Sequence, residues 1–301
     1  MPLLVVGSIA FDDIETPHGK ADNALGGSAS YFSYVSSFFT RPRLVGVIGE
    51  DFPSEHKDLF HSKDIDTRGL VTEKGKTFRW KGRYHADMNG RDTLEVHLNV
   101  FGNFNPVLPE AFRDSEYVFL ANSSPSTQAK VLDQVKKPKL VMADTMDLWI
   151  ETAHDELMAL LPRIDGLLLN DSEARLMTNE DNLVKAGEEI RKKGPKFVIL
   201  KKGEHGAMLF SEGGVTVLPA FPSPKVVDPT GAGDTFAGGI MGYLASSGNH
   251  GDLGSALRKA MAYGTVVASF TVEDFGLNRL KKLSRKEIDD RLEHYRSMLV
   301  F

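Results

Sequence analysis

A chain of 301 residues with 41% hydrophobic content has material for one large α/β domain or two modest ones. Its net charge of −5 argues against a general nucleic-acid binder, and no apolar stretch reaches the roughly 18 residues of a membrane helix. The absence of cysteine excludes disulfides and thiolate metal sites.

The chain opens on Met1–Gly7, which runs into a strand-like segment with no basic region or secretory cleavage pattern, so a cytoplasmic location is expected. Leu3–Gly7, Arg43–Ile48, Tyr117–Ala121, Leu140–Ala143, Gly166–Leu169 and Phe197–Leu200 are short apolar runs that read as buried strands. Helical patterns lie between them at Ala29–Phe39, Ser126–Val135, His154–Leu161 and Asn182–Lys193. Alternation of this kind predicts a mostly parallel central sheet with helices on both faces. No repeat, low-complexity tract or linker interrupts it, so one α/β domain over residues 1–301 is expected.

Thr77–Leu98 departs from that rhythm. Two segments alternate with period two around Asp87-Met88-Asn89-Gly90-Arg91, and Asn-Gly is a hairpin turn signal, so an antiparallel hairpin is predicted. Such a ribbon has no core of its own, so it covers a site or another subunit, unless it is a plain surface insertion. Ser284–Leu299 reads as a charged outer helix.

Several short segments carry candidate chemistry. Asp12 follows the first strand, and Gly26-Gly27-Ser28 opens the helix at Ala29; a carboxylate beside a glycine-rich helix start suits polyol hydroxyls, though Asp12 alone reads equally as a turn residue. Asn170 and Glu173 follow the run Leu167–Leu169 and share a helix face. At a strand's C-terminal end they suit Mg²⁺ that keeps its waters; the plainer reading is a helix cap. Lys201-Lys202-Gly203-Glu204-His205-Gly206 makes a tight loop after the next strand, with room to pass under a nucleotide, or a simple turn into Ala207–Phe210. Gly75-Lys76-Thr77 has Leu70 where a phosphate loop needs its first glycine, and the histidines show no metal-ligand spacing.

Asp228-Pro229-Thr230-Gly231-Ala232-Gly233-Asp234-Thr235-Phe236-Ala237-Gly238-Gly239 is the most informative stretch. Its glycines permit a tight turn, Thr230 reads as an N-cap, and the apolar spacing from Asp234 to Ala245 predicts a helix. A helix start suits a phosphate, and a carboxylate there repels one, so either Asp234 only favours the helix dipole and the glycines only form a turn, or Asp234 has a chemical reason. Taking a proton from a hydroxyl that attacks a phosphoryl group supplies it.

These twelve residues resemble the C-terminal signature of the ribokinase-like (PfkB) family of carbohydrate and nucleoside kinases. Gly7-Ser8 with Asp12, Gly26-Gly27, Gly46–Asp51, the hairpin, the Asn170/Glu173 pair and Lys202–Gly206 extend the resemblance, in order, over essentially the whole chain. It implies a ribokinase-like α/β fold with a small antiparallel β lid from about residues 11–24 and 77–98. It further implies ATP and Mg²⁺ as cofactors, Asp234 as catalytic base, and Gly231, Ala232 and Gly233 as the anion hole. Asn170, Lys201, Gly203 and Gly206 would line the ATP site, and Asn170 and Glu173 would handle Mg²⁺ through water. Asp228 and Thr230 match part of a monovalent cation (K⁺) site. Asp12, Gly26, Gly27, Ser28 and Tyr31 would face the acceptor.

Ala10, Ser28 and Tyr31 stand where the ribokinase pattern has Asn, Lys and Asn, which argues against a ribokinase proper. An aromatic at Tyr31, Phe78, Trp80 or Tyr84 would suit a stacked base. The expectation is a sugar kinase acting on a hydroxymethyl group, with a nucleoside kinase as the alternative. A non-catalytic sensor and a dinucleotide-dependent oxidoreductase are the weaker rivals. No nucleic-acid or membrane partner is expected; a homodimer through the lid is.

Overall fold

The structure is a computed structural model that describes residues 1–248 and 251–300. Nine strands form one sheet: β1 (Leu3–Val6), β4 (Pro42–Ile48), β5 (Asp66–Thr72), β8 (Tyr117–Leu120), β9 (Leu140–Asp144), β10 (Gly166–Asn170), β11 (Phe197–Lys201), β12 (Ala207–Ser211) and β13 (Gly214–Leu218). Their order is β13-β12-β11-β10-β9-β8-β1-β4-β5. Every pairing from β5 to β11 is parallel, and β12 and β13 add an antiparallel edge.

Both faces are covered, as nearly continuous apolar strands require. Leu3 and Val5 of β1 point into one core, Leu4 and Val6 into the other. The first core is closed by α1 (Ser28–Ser36), α2 (Ser54–Ser62), α8 (Ala232–Ser247), α9 (Leu253–Thr271), α10 (Asn278–Lys281) and α11 (Arg285–Met298). The second is closed by α3 (Pro125–Leu132), α4 (Asp147–Thr152), α5 (His154–Leu160), α6 (Asp171–Thr178) and α7 (Leu183–Lys192). The predicted outer helix is α11, started by a capping box between Ser284 and Glu287 and anchored by buried Ile288 and Tyr295.

A separate four-stranded sheet has the order β3-β2-β6-β7, from β2 (Ala10–Thr16), β3 (Gly19–Gly26), β6 (Phe78–Tyr84) and β7 (Arg91–His97). The predicted hairpin is β6–β7, and its turn is longer than a two-residue Asn-Gly loop. His85 N–H donates to the Gly90 carbonyl, and the Asp87 carboxylate accepts the Asn89 and Gly90 amides. The sheet is not wholly antiparallel, because β6 pairs with β2 in parallel and sets Trp80 beside Asp12. Its two faces differ. Asp13, Glu15, Arg79, Lys81, Arg83 and Glu95 pair among themselves on one. Trp80, Gly82 and Tyr84 line the other, since successive side chains of a strand alternate.

Candidate active site

Strand ends and one helix start meet at the C-terminal edge of the large sheet, where open α/β sheets bind ligands. Helix α8 begins at Ala232 behind Gly231, whose φ of 76° is left-handed and whose position has the Tyr31 ring 2.5 Å from where a Cβ would sit. Thr230 is therefore not the N-cap, and no side chain caps the helix. Its hydroxyl instead donates to the Tyr84 hydroxyl of the small sheet at 3.2 Å. The Ala232 amide is spent on the Pro229 carbonyl, which removes it from the predicted anion hole. Gly231 and Gly233 keep amides that no group accepts among the described residues, so a narrower hole remains open to an anion.

Asp228 fixes this loop from below. One carboxylate oxygen accepts the Thr230 amide at 2.9 Å, and the other accepts the Gly276 amide at 3.1 Å from 48 positions away. The Val272 carbonyl accepts the amides of Val227 and Asp228. With both Asp228 oxygens on backbone N–H groups and the Thr230 hydroxyl on Tyr84, this pair serves the loop. It does not fit a monovalent cation as its ligand set, and no step is assigned to one.

Half-buried Asp234 faces the cleft from the first turn of α8. Burial pushes its carboxyl up to about 7, with Asp144 adding and Lys201 and Arg91 opposing. Asp12 sits across from it, pushed up to about 8 by burial and then by Asp228 and Asp234. Its carboxylate accepts the Gly27 amide and fills the space a side chain at Gly26 would need. Gly26→Ala will therefore displace Asp12 and lower stability by about 1–3 kcal/mol in a denaturant melt; an unchanged midpoint would show that Asp12 is not wedged there.

Lys201 reaches in from the end of β11, its Nζ 3.6 Å from Asp144 and 3.1 Å from the position of a Cβ on Gly233. Burial works to discharge it, but Asp144, Glu173 and Asp234 outweigh burial and hold it charged. Asn170 and Glu173 form the reciprocal capping box of α6: Asn170 Oδ1 accepts the Glu173 amide, and Glu173 Oε2 accepts the Asn170 amide. Burial raises Glu173 to about 7, Lys201 opposing and Asp144 adding. Both the cap and the cleft-facing position hold, because one carboxylate oxygen suffices for the cap.

Three predicted contacts are placed otherwise. The Ser28 hydroxyl pairs with the Ser8 hydroxyl at 3.0 Å and pins the start of α1, so it does not face the acceptor side. Tyr31 is 1% exposed with its ring pressed on Gly231, so it has no face for a base. Its hydroxyl lies among Asp12, Asp228 and Asp234 and has no partner among the described residues. Gly206 abuts the backbone of Leu218–Ala220 and shapes a turn, while Gly203 meets the tip of the hairpin, where Asn89 Nδ2 donates to Glu204 Oε1 at 3.0 Å.

Sequence reasoning passed over Asp144 and Arg91, and offered Tyr84 only as a stacking aromatic. Arg91 hydrogen-bonds Tyr84 from the neighbouring strand; burial works against its charge, and Tyr84, then Glu173 and Asp234, outweigh it. Among the lid aromatics, Phe78 stacks on Phe101 and Tyr84 is buried against Thr230. Trp80 is half-buried, lying over Gly82 with its indole N–H toward Thr93 at 3.4 Å and the Arg91 guanidinium 5.5 Å from the centre of its ring. A surface cleft of about 380 Å³ beside α11 lies apart from these groups, with Arg279 and Arg291 paired to Glu273. No cluster of three metal-ligating side chains and no helix long and apolar enough to cross a membrane occurs among the described residues.

Residues 7–282 match the model of the pfkB family carbohydrate kinases. A cytidine kinase of Thermococcus kodakarensis is 29% identical over 248 residues, covering 80% of this chain and 87% of that protein. A nucleoside kinase of Burkholderia thailandensis, solved with inosine, superposes with a TM-score of 0.79 at 20% identity, covering 97% of each chain. A ribokinase II from E. coli, solved with ATP and Mg²⁺, gives a TM-score of 0.79 at 19% identity over 97% of this chain and 99% of the other. The two structures establish likeness of fold.

Proposed function

The chain belongs to the pfkB carbohydrate kinase family and is a phosphotransferase acting on an alcohol group; from that premise we propose that its acceptor is the hydroxymethyl group of a nucleoside and its donor ATP with Mg²⁺. The observation that carries the reaction is Asp234, a carboxyl poised near pH 7 at an uncapped helix start and facing Asp12 across the cleft.

The site residues divide the work. Asp234 accepts the proton of the attacking hydroxyl, and Asp12 orients the acceptor through its neighbouring hydroxyls. The Gly233 amide and the Lys201 ammonium hold negative charge on the transferred group. The chemistry that Mg²⁺ would supply, when bound with ATP, is positive charge against the phosphates. Glu173 fits the ion as a water-mediated holder, because the cap uses only Glu173 Oε2; Asn170 Oδ1 already accepts two donors, the Glu173 amide and the Ser172 hydroxyl, which leaves Asn170 its Nδ2 to donate to a phosphate oxygen. Gly203 and the 203–205 turn lie beside Lys201 and fit the nucleotide.

For a nucleoside rather than a bare sugar, the supporting observation is Trp80. Strand pairing sets it next to Asp12 on the same face, so a base joined to a sugar held by Asp12 lies within reach of the indole. The likeness to a cytidine kinase agrees.

Cytidine, inosine, adenosine, ribose and fructose, each assayed for ADP release and thermal shift, test this reading. A true acceptor at about a hundred times its Kd stabilises by about 2.7 kcal/mol. Turnover of a nucleoside is expected. Turnover of sugars alone returns the acceptor to the carbohydrate class, and ATP binding with no turnover on any acceptor overturns the enzymatic reading.

A further inference from the structure

Three adjacent strands of the large sheet end together at Asp144, Asn170 and Lys201. Asp144 pairs with Leu168, Leu168 with Ile199, and Lys201 follows Ile199 by two, so Asp144 and Lys201 lie on the same face as α8. Their side chains reach each other across the end of β10, at 3.6 Å, with 6% and 20% of the side chains exposed. The Asp144 carboxylate is itself held, accepting the Thr145 amide at 2.8 Å.

A buried ion pair of this kind contributes little to stability, because desolvation offsets the attraction and an apolar pair fills the space as well. Its location calls for another reason. Lys201 has three carboxylates within electrostatic reach: Asp144, Glu173 and Asp234. Only Asp144 lies at ion-pair distance. Without it, the ammonium is drawn to Glu173 or to Asp234, and a lysine paired with Asp234 blocks the group that must accept a proton.

Resting on the kinase reading above, we propose that Asp144 is a positioning residue that holds the Lys201 ammonium beneath Gly233, at the start of α8, and keeps it off Asp234. It acts through Lys201 and touches neither acceptor nor nucleotide.

The test is a cycle of Asp144→Asn, Lys201→Met and the double variant, with Asp144→Glu as the conservative replacement. Asp144→Asn is expected to lower kcat by about a hundredfold while leaving acceptor KM within about threefold. Asp144→Glu recovers part of that loss. The double variant is no slower than Lys201→Met, because Asp144 has nothing left to position. Melting temperature supplies a second readout. Asp144→Asn lowers it by leaving Lys201 without its partner, and the double variant regains it without regaining kcat. Stability restored with turnover still lost is the signature of a pair kept for function.

Three results overturn the proposal: kcat of Asp144→Asn within about twofold of the parent, losses that multiply in the double variant, or a double variant with parental turnover. If Asp144→Asn fails to fold, the double variant compared with Lys201→Met, together with Asp144→Glu, still decides the matter: a double variant slower than Lys201→Met, or one with parental turnover, overturns the proposal. A parent protein with no turnover on any acceptor overturns the kinase reading instead, which separates the two failures.

Discussion

Asp234→Asn will lower kcat by about 10³- to 10⁴-fold with nucleotide affinity unchanged or tighter. Asparagine keeps the size and hydrogen-bonding shape of the side chain at the start of α8 but cannot accept the proton of an attacking hydroxyl. It also removes a negative charge from an anion site, so ATP has no reason to bind less well. The pH profile gives a second reading. A base works deprotonated, and burial places the Asp234 carboxyl at about 7. In the parent, kcat/KM therefore rises about tenfold per pH unit below that value and levels above it. In the variant this slope disappears. Isothermal titration with a non-hydrolysable ATP analogue and steady-state rates from pH 5 to 9 are the measurements. Near-parental turnover in the variant would remove Asp234 from the chemistry.

Removal of the β6–β7 hairpin will have the next largest effect. Deleting Arg79–Leu98 and closing the gap with a short turn takes away Trp80, the Tyr84–Thr230 contact and the tip contact to Glu204. Acceptor KM is expected to rise by at least about a hundredfold, since the covering surface and its ordering of the acceptor go together. ATP hydrolysis relative to transfer will increase, because water gains access to the site. Trp80→Ala, which leaves the hairpin in place, separates the two effects: it raises KM for the nucleoside with little change in coupling. Deletion with unchanged KM and unchanged coupling would reduce the hairpin to a surface ornament.

The fold was legible because its strands are buried on both faces and therefore appear as unbroken apolar runs. Each of the six runs became a strand within a residue or two, and β9, β10 and β11 each continue one residue further, to Asp144, Asn170 and Lys201. That extra residue is where the site begins. Asn170 and Lys201 drew notice from the Asn-x-x-Glu spacing and the following glycines, whereas nothing local marks Asp144. A polar residue at the C-terminal end of a buried parallel strand was the available signal. The lid pattern was legible as alternation, but its parallel pairing to β2 was not, since two strands far apart in sequence leave no joint signature. Thr230 and Ser28 misled for a shared reason. Thr230 reads as a cap and Ser28 as facing the acceptor, and in each case a tertiary partner, Tyr84 or Ser8, claims the hydroxyl.

The clasp between Asp228 and Gly276 also bears on when the protein becomes competent during its own synthesis. Domains begin to fold while the remainder is still being made. The loop and helix α8 emerge well before Gly276, and Asp228 waits for that amide across 48 positions. Until α9 and the 272–276 segment arrive, the turn at Gly231 lacks both its lower brace and the Val272 carbonyl that anchors Val227 and Asp228. A nascent chain with most of the sheet in place therefore carries Asp234 and Lys201 beside a turn whose brace has not yet been made.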